Sequence, residues 1–348
     1  MPKVTVKNVS TGQELLWRSI KVRKSLDEIC HTLELEIPPS ERLKVGRHNR
    51  LEVRCVNSLV RDSGGERLVT TVLVDEVAAS ADTGRHGVTV IGRSPARDII
   101  DSTWSNVDEN SNSDSDPNRT LKTIIRQIAG KFNIACDTLK YEGVDDPTEI
   151  VSHFEFENES PWTKLTDEAD QQGFIFTSNE AGDLYLWKVQ AAAREEPFHI
   201  TEGVNVKSVK WTENGSEQFH EYIVKGGFYD PVRVIDNTCP GNRVLTIDIT
   251  DPFVTETELE GRARTEMRRR KETKTTVTVP GWGLTDGQIK SLGETEGFEI
   301  YWVPNLLIPV KVPSLGLDAI LLVSEVEYAA SADAMSCDVT LVKREMYS

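Results

Sequence analysis

The chain has 348 residues, with 40 basic and 56 acidic side chains and a formal net charge of -16 at pH 7. Its mean hydropathy is -0.38 and 38% of its residues are hydrophobic, values that are typical of a globular protein. A surface this acidic repels nucleic acid, so we expect no specific DNA or RNA binding. No apolar run approaches the roughly 20 residues that cross a bilayer, so we expect no stable membrane insertion.

The first residues, 2–6, alternate like a strand and do not form the apolar core of a signal peptide. We therefore expect assembly in the cytoplasm. At this length the chain exceeds one ordinary hydrophobic core, and about two to four domains are expected.

Residues 1–93 alternate apolar and polar side chains over several short runs, at 4–9, 20–24, 32–37, 49–56 and 69–93. Alternation with period two predicts strands that bury one face. Residues 1–93 are therefore predicted to form an antiparallel, β-barrel-like domain.

Residues 94–198 predict a mixed α/β region. Ser94 is expected to cap a short helix with Pro95 at its first position, and Ser160 to begin a later helix in the same way. An amphipathic helix is predicted near residues 121–132, and residues 105–118 are predicted to be a flexible acidic loop.

The rest of the chain returns to strand patterns. Residues 199–245 and 305–348 predict a second, discontinuous β-barrel-like domain, and 246–304 an inserted small α/β domain with a charged helix at 256–271. The predicted fold class is therefore α+β and mainly β: two related antiparallel β-barrel-like domains with inserted small mixed α/β domains.

A short pattern occurs twice. Residues 74–77 (Val-Asp-Glu-Val) precede Ala-Ala-Ser-Ala-Asp at 78–82, and residues 323–326 (Val-Ser-Glu-Val) precede the same five residues at 329–333. Each copy predicts a β-hairpin, with a two-residue length difference placed in the turn. Repeated units are typical of a scaffold, ring or array rather than of one catalytic pocket.

Motifs for catalysis or metal binding are incomplete. The acidic stretch 108–116 begins like a calcium loop but has Ser113 and Arg119 where an EF-hand needs Gly and Glu. Ser94 lies between a strand and a helix but lacks the second glycine of a nucleophile elbow. Six histidines and five scattered cysteines form no ligand motif. We predict no catalytic, cofactor-binding or metal-ligating residue and no cofactor, although a carboxylate pair that meets only in space stays open.

The basic residues between Arg262 and Lys271 favour a solvated helix whose charges complement its dipole. A charge contact between subunits is the alternative, and nucleic-acid binding ranks third because no aromatic residues are interleaved. Residues 119–144 have the rhythm of a LysM-like sugar-binding unit, but core packing explains their apolar face equally well.

Several stretches together resemble the Mu-like baseplate hub tail proteins of contractile phages and prophages, the late control D family. They cover most of the chain: residues 25–39, 74–77, 90–101, 159–174, 222–226 and 277–282. The resemblance implies a homotrimeric ring, located in the virion tail baseplate, in which two β-domains per chain give pseudo-sixfold symmetry. Such a ring joins the sixfold tail tube to a threefold membrane-piercing spike. The implied partners are its own copies, the tail spike protein, the tail tube and other baseplate proteins, and no enzymatic activity is implied.

Two other functions remain open. One is a tail component that binds or degrades peptidoglycan, which requires a sugar site. The other is the hub of a type VI secretion spike, which usually carries long β-repeats of a fused spike, and no such repeats occur before Ser348.

Overall fold

The structure, a computed structural model, describes residues 3–56, 66–82, 85–105, 120–136, 157–189, 198–249, 254–271, 273–284 and 301–347. The predicted acidic loop from residue 106 onward, including the calcium-like stretch, lies outside these ranges.

The first part of the chain is composed of strands, as its alternating pattern predicts. Alternate residues of the strand Thr32–Ile37 show the reason: Leu33, Leu35 and Ile37 are at most 1% exposed, whereas the residues between them reach the surface. A 3-10 helix at Pro39–Lys44 follows this strand. The strands are β1 (Lys3–Asn8), β2 (Gln13–Leu15), β3 (Ser19–Ser25), β4 (Thr32–Ile37), β5 (Arg50–Val56), β6 (Glu66–Asp82) and β7 (Arg85–Arg93).

The next part mixes short helices and strands around a separate apolar cluster. Its elements are α1 (Arg97–Asp101), β8 (Trp104–Ser105), α2 (Leu121–Lys131), β9 (Glu157–Glu159), α3 (Pro161–Gln171), β10 (Ile175–Ser178) and β11 (Leu184–Trp187). The amphipathic helix α2 buries Ile124, Ile125 and Ile128, as predicted. Ser160 caps α3 by accepting a hydrogen bond from the Trp162 backbone N–H at 3.2 Å.

The prediction that Ser94 caps α1 is wrong. Helix α1 begins after Ala96, and no side-chain hydrogen bond caps it. Ser94 is fully buried, and its hydroxyl accepts a hydrogen bond from the backbone N–H of His31 at 3.3 Å. The serine side chain thus bonds to the backbone of a neighbouring segment instead of capping the helix.

The C-terminal part contains β12 (Ile200–Thr201), β13 (Ser208–Glu213), β14 (Glu221–Gly226), β15 (Val232–Ile235), β16 (Val244–Ile249), α4 (Glu256–Arg269), β17 (Thr273–Pro280), β18 (Leu307–Val312), β19 (Leu317–Ser331) and β20 (Met335–Val342). Short 3-10 helices occupy Pro313–Leu315 and Arg344–Met346. Helix α4 begins with a capping box formed by Thr255 and Glu258. Among the helices that the structure describes, none is long and apolar enough to cross a membrane.

A small sheet in this part is separate from the rest. Its strand order is β15-β14-β16, and Leu259 and Ala263 of α4 pack on Tyr222 and Val224 of β14. The sequence pattern assigned β14 and β15 to the second β-domain and most of β16 to the inserted domain, whereas among the described strands the three pair only with one another. The domain limits themselves stay a prediction.

The central feature is a thirteen-stranded sheet within the described residues, with the order β13-β17-β20-β19-β3-β4-β7-β6-β5-β1-β2 and with β18 and β12 attached beside β19. The fold is thus mainly β, as predicted, but the prediction of barrel-like closure is wrong. The physical reason lies in β3: it pairs with β4 on one side and with β19 on the other, so neither of its edges is available to close a barrel.

Candidate functional site

The sheet contains one five-strand arrangement twice. The first unit has the order β3-β4-β7-β6-β5, and the second unit has the order β13-β17-β20-β19-β18. All four pairings within each unit are antiparallel. The sequence repeat is therefore part of a larger structural repeat.

The two hairpins, β6–β7 and β19–β20, carry a bulge at the same place. In the first, the register shifts between Val74 and Glu76, which leaves Asp75 as the extra residue. In the second, it shifts between Val323 and Glu325, which leaves Ser324 as the extra residue. Bulges fix the register of a strand pair, so they align the two copies residue by residue.

This alignment corrects the length difference predicted in the turn. Val77 lies opposite Val90 in the first hairpin, and Val326 lies opposite Val339 in the second, so both hairpins have the same length. The two Ala-Ala-Ser-Ala-Asp segments are instead offset by two positions, because backbone pairing rather than residue identity fixes the register. The hairpins themselves are confirmed.

The correspondence extends to the outer strands of the units. Ile20 lies opposite Leu35, and Leu35 opposite Val90, in the first unit. The matching positions of the second unit are Val209, Val277 and Val339. In the same register, Ser19-Ile20-Lys21 of β3 corresponds to Ser208-Val209-Lys210 of β13, a similarity that sequence comparison of the hairpins alone missed.

A junction between β3 and β19 joins the two units. The first part of β19 pairs with β18, and its later part, from Glu325 to Ser331, pairs with β3. Val22 and Tyr328 lie opposite each other there and are 0% and 1% exposed. Arg23 donates a hydrogen bond to Glu325 at 2.7 Å, and this bond raises the pKa of the guanidinium above its usual value. The junction is thus both apolar and charge-paired.

A buried charge connects this junction to the mixed region. The Lys24 side chain is 4% exposed, and its Nζ lies 3.0 Å from Oε1 of Glu180, in the turn between β10 and β11. Arg67 lies 3.8 Å from the same carboxylate. Burial acts to raise the pKa of Glu180, but the charges of Lys24 and Arg67 outweigh it and hold this pKa at about 2. The turn is therefore fixed to the sheet by an ionised carboxylate.

His31 is a buried histidine in the first unit. Its Nδ1 lies 3.2 Å from Oγ1 of Thr70, and the residue is 4% exposed. Burial lowers its pKa to about 3, and the positive charge of Lys24 acts in the same direction. The ring is therefore neutral at physiological pH and has the role of a packed residue.

The first bulge is the centre of an ion-pair network. Asp75 accepts hydrogen bonds from Arg93 at 2.8 Å and from Arg97, whose side chain is only 9% exposed. Arg93 also binds Asp101 at 2.7 Å, and this hydrogen bond lowers the pKa of the Asp101 carboxyl. The network holds α1 against the sheet.

Several basic residues in α4 and just after its end bind acidic residues of the same chain. Arg262 lies 2.9 Å from Asp167 and Arg269 lies 2.7 Å from Asp170, both on α3. Lys271 lies 2.7 Å from Asp236. These cations therefore connect α4 to its neighbours, a use that neither the solvated-helix interpretation nor the subunit-contact interpretation foresaw.

Three further features bear on catalysis or metal binding: the acidic and sulfur ligands, the buried Ser94 and a cavity beside α4. In the described part of the chain, no group of three or more His, Cys, Asp or Glu side chains is placed to hold a metal ion. Ser94 is buried, and its Oγ lies 3.3 Å from Ser178 Oγ. A cavity of about 290 Å³ beside α4 is lined by Asn214, Glu217, Glu266, Arg269 and Arg270. Glu266 forms ion pairs there with Arg262 and Arg270.

Comparison with solved structures finds the same fold in tail proteins. The prophage MuSo2 43 kDa tail protein from Shewanella oneidensis superposes with a TM-score of 0.77 at 20% identity, over 100% of both chains. The tail protein from Neisseria meningitidis MC58 superposes with a TM-score of 0.75 at 15% identity, over 99% of this chain and 98% of that one.

A third similar structure comes from a secretion system. The E. coli c3393 protein, a type VI secretion component described as similar to the T4 tail proteins gp27 and gp5, has a TM-score of 0.53 at 10% identity, over 98% of this chain and 76% of that one. No family model and no curated protein matches the sequence. The chain therefore has the fold of prophage tail proteins, as its resemblance to baseplate hub proteins predicted.

Proposed function

We propose that the chain is a structural baseplate hub of a contractile phage tail, a homotrimeric ring that joins the sixfold tail tube to the threefold spike. The observation that carries the proposal is the presence of two equivalent sheet units in one chain. Three copies in a closed ring present six such units, while the chain as a whole repeats only three times.

This arrangement answers a mismatch of symmetry. A sixfold tube requires six similar contact surfaces, and a threefold spike requires three identical ones. A chain with two similar but non-identical units supplies both. The two units share a strand order and register, which suits the sixfold tube, and they differ in side chains and inserted elements, which suits the threefold spike.

The proposed partners are further copies of the chain, the tail spike protein, the tail tube and other baseplate proteins. The proposed location is the virion tail baseplate, after assembly in the cytoplasm of a bacterial host. The proposed role is structural and non-enzymatic, which is supported by the shared fold of two prophage or bacterial tail proteins. We expect no activity in a peptidoglycan-degradation assay, a result that separates this role from that of a wall-degrading tail component.

Light scattering coupled to size exclusion tests the ring. The expected mass is about three times the 38.9 kDa of the chain. A monomer that persists at micromolar concentration, without the spike protein present, would contradict the proposal.

The hub of a type VI secretion spike is the second candidate, favoured by the shared fold of the E. coli secretion component over nearly the whole chain. Fractionation of the source bacterium distinguishes the two. A phage hub is expected to sediment with tail particles after prophage induction, whereas a secretion hub is expected to remain with a membrane-anchored assembly without induction.

A further inference from the structure

Among the strand edges of the large sheet that have no neighbour in the described residues, two correspond to the two sides of the β3–β19 junction. Strand β13 pairs only with β17, and the later half of β6, from Glu76 to Asp82, pairs only with β7. By the register alignment, β13 corresponds to β3, and this half of β6 corresponds to the half of β19 that binds β3. Each chain thus contains one filled junction and both halves of a second junction.

Burial at matching positions shows the same difference. Tyr328 and Val22, which face each other in the filled junction, are 1% and 0% exposed. Their counterparts are Ala79, which is exposed, and Trp211, which is 50% exposed. A large residue faces a small one in both cases, with the order reversed, so an Ala79–Trp211 pair fits a similar space.

Trp211 also lies on the appropriate face of its strand. It is two residues from Val209, which packs against the main core, so both side chains are on the core-facing side of β13. A tryptophan that is half exposed at the edge of a core face is an unusual surface residue, because burying its ring contributes substantially to an interface.

We propose that β13 of one copy of the chain pairs antiparallel with the later half of β6 in a second copy, in the register of the β3–β19 junction. In this register Ala79 faces Trp211, and Ser80 faces Lys210, just as Ala329 faces Lys21 within the chain. Unpaired backbone N–H and C=O groups on strand edges are templates for such pairing.

The occupant of each edge is a second copy because the two edges are separated within one chain. Six strands lie between β13 and β6 in the sheet order. The contact is heterologous, and a heterologous contact closes into a ring when its repeated rotation completes a full turn. The inference rests on the ring of the proposed function and identifies the backbone edges that close it.

Engineered disulfides test the register. The double variant Ser80→Cys/Lys210→Cys places two thiols at facing positions of the proposed contact, and oxidation is expected to give covalent trimers on a non-reducing gel. The matched control, Lys21→Cys/Ala329→Cys, occupies the same positions in the filled junction and is expected to cross-link within one chain. The variant Ser80→Cys/Trp211→Cys is one residue out of register, on opposite faces, and is expected to cross-link poorly.

The outcomes distinguish a failure of the proposed edge pairing from a failure of the trimeric ring. If the Ser80/Lys210 variant does not cross-link while the Lys21/Ala329 control does, and light scattering still gives a trimer, the pairing is wrong and the ring stands. Covalent ladders that extend beyond three chains would support the pairing and overturn the closed trimer. A monomeric protein without intermolecular cross-links overturns both. The single cysteine variants report any contribution from the five native cysteines, which are all buried.

Discussion

The two sheet units have the same backbone and opposite surroundings. In the second unit, the later half of β19 is covered by β3, and its side chains are alternately buried. In the first unit, the same half of β6 ends at an uncovered edge with exposed residues such as Glu76, Ala78 and Ala79. Strand pairing and the bulge position therefore set the architecture, whereas the type of side chain at each position depends on whether another strand covers it.

The two bulges differ in the same way. Asp75 in the first is an ionic centre that binds two arginines, whereas Ser324 in the second donates its hydroxyl proton to the Thr340 carbonyl at 3.3 Å, and its own carbonyl accepts from Leu26 N–H. The first bulge holds a helix, and the second holds the start of the junction.

Tyr328→Ala should show the largest difference between the units. Removing this fully buried ring from the junction is expected to lower the free energy of unfolding by about 3–5 kcal/mol. The matched change, Ala79→Ser at the equivalent exposed position, is expected to alter it by less than about 0.5 kcal/mol in dilute solution. Urea denaturation measures both, and similar losses at the two positions would contradict the difference in coverage between the two units.

Lys24→Met tests the buried charge at the junction. Without the ammonium, the Glu180 carboxylate keeps only the more distant Arg67, and we expect a loss of about 2–4 kcal/mol. The double variant Lys24→Met/Glu180→Gln should recover part of that loss, because it leaves no uncompensated carboxylate. A double variant less stable than Lys24→Met would show that the pair is not coupled, and thermal denaturation of the three proteins decides.

Acid should affect the first unit through His31. The folded-state pKa of about 3 lies below the ordinary value of 6.5, so the unfolded chain binds the proton more readily. Protonation of His31 in the unfolded chain therefore costs almost no stability above pH 6.5. As the pH falls toward 3 it lowers the free energy of unfolding, by about 2 kcal/mol at pH 5. Lys24 and Glu180 are the charged groups that act on the ring.

The register supplies the control for this pH dependence. Thr273 of the second unit occupies the position that corresponds to His31, and threonine does not titrate in this range. His31→Gln should flatten the stability profile between pH 6.5 and pH 5, as followed by denaturation at several pH values. An unchanged profile in the variant would assign the acid sensitivity to other groups.

Asp75→Ser places in the first bulge the residue type that the second bulge carries. Arg97, which is mostly buried, then loses the closer of its two carboxylate partners and keeps Asp98 at 3.4 Å, and we expect a loss of about 1–3 kcal/mol. Ser324→Ala removes one neutral hydrogen bond and is expected to cost only about 0.5–1.5 kcal/mol. Equal losses would mean that the ionic network adds little to the first bulge, and calorimetric unfolding can measure the difference.

The local elements were predictable because their signals are short in range. Alternation predicted β4 and β17, the apolar face predicted α2, and Ser160-Pro161 predicted the start of α3. The repeat of the hairpins was also visible, since residues 74–77 and 323–326 share three of four residues.

The long-range arrangement was not predictable in the same way. Closure of a sheet depends on which strand covers the edge of β3, and no local pattern encodes that β19 does so. The role of Ser94 was misread because a serine before a proline fits a helix cap, while its actual partner, His31, is 63 positions away. The contacts of the α4 arginines with α3 depend on the packing of two helices that lie far apart in sequence.

The junction has a consequence for the synthesis of the protein. Arg23 and Glu325, which bond across it, are 302 positions apart in the chain. At a translation rate of about 5–20 residues per second, β3 emerges from the ribosome roughly 15–60 s before its partner strand exists. During that interval a nascent first unit has an edge that another nascent chain could occupy, so correct assembly requires the intramolecular pairing to outcompete premature association. Contacts of such high sequence separation form slowly. The distance between successive ribosomes on one messenger RNA therefore affects how this sheet forms, because it sets how close two nascent chains are.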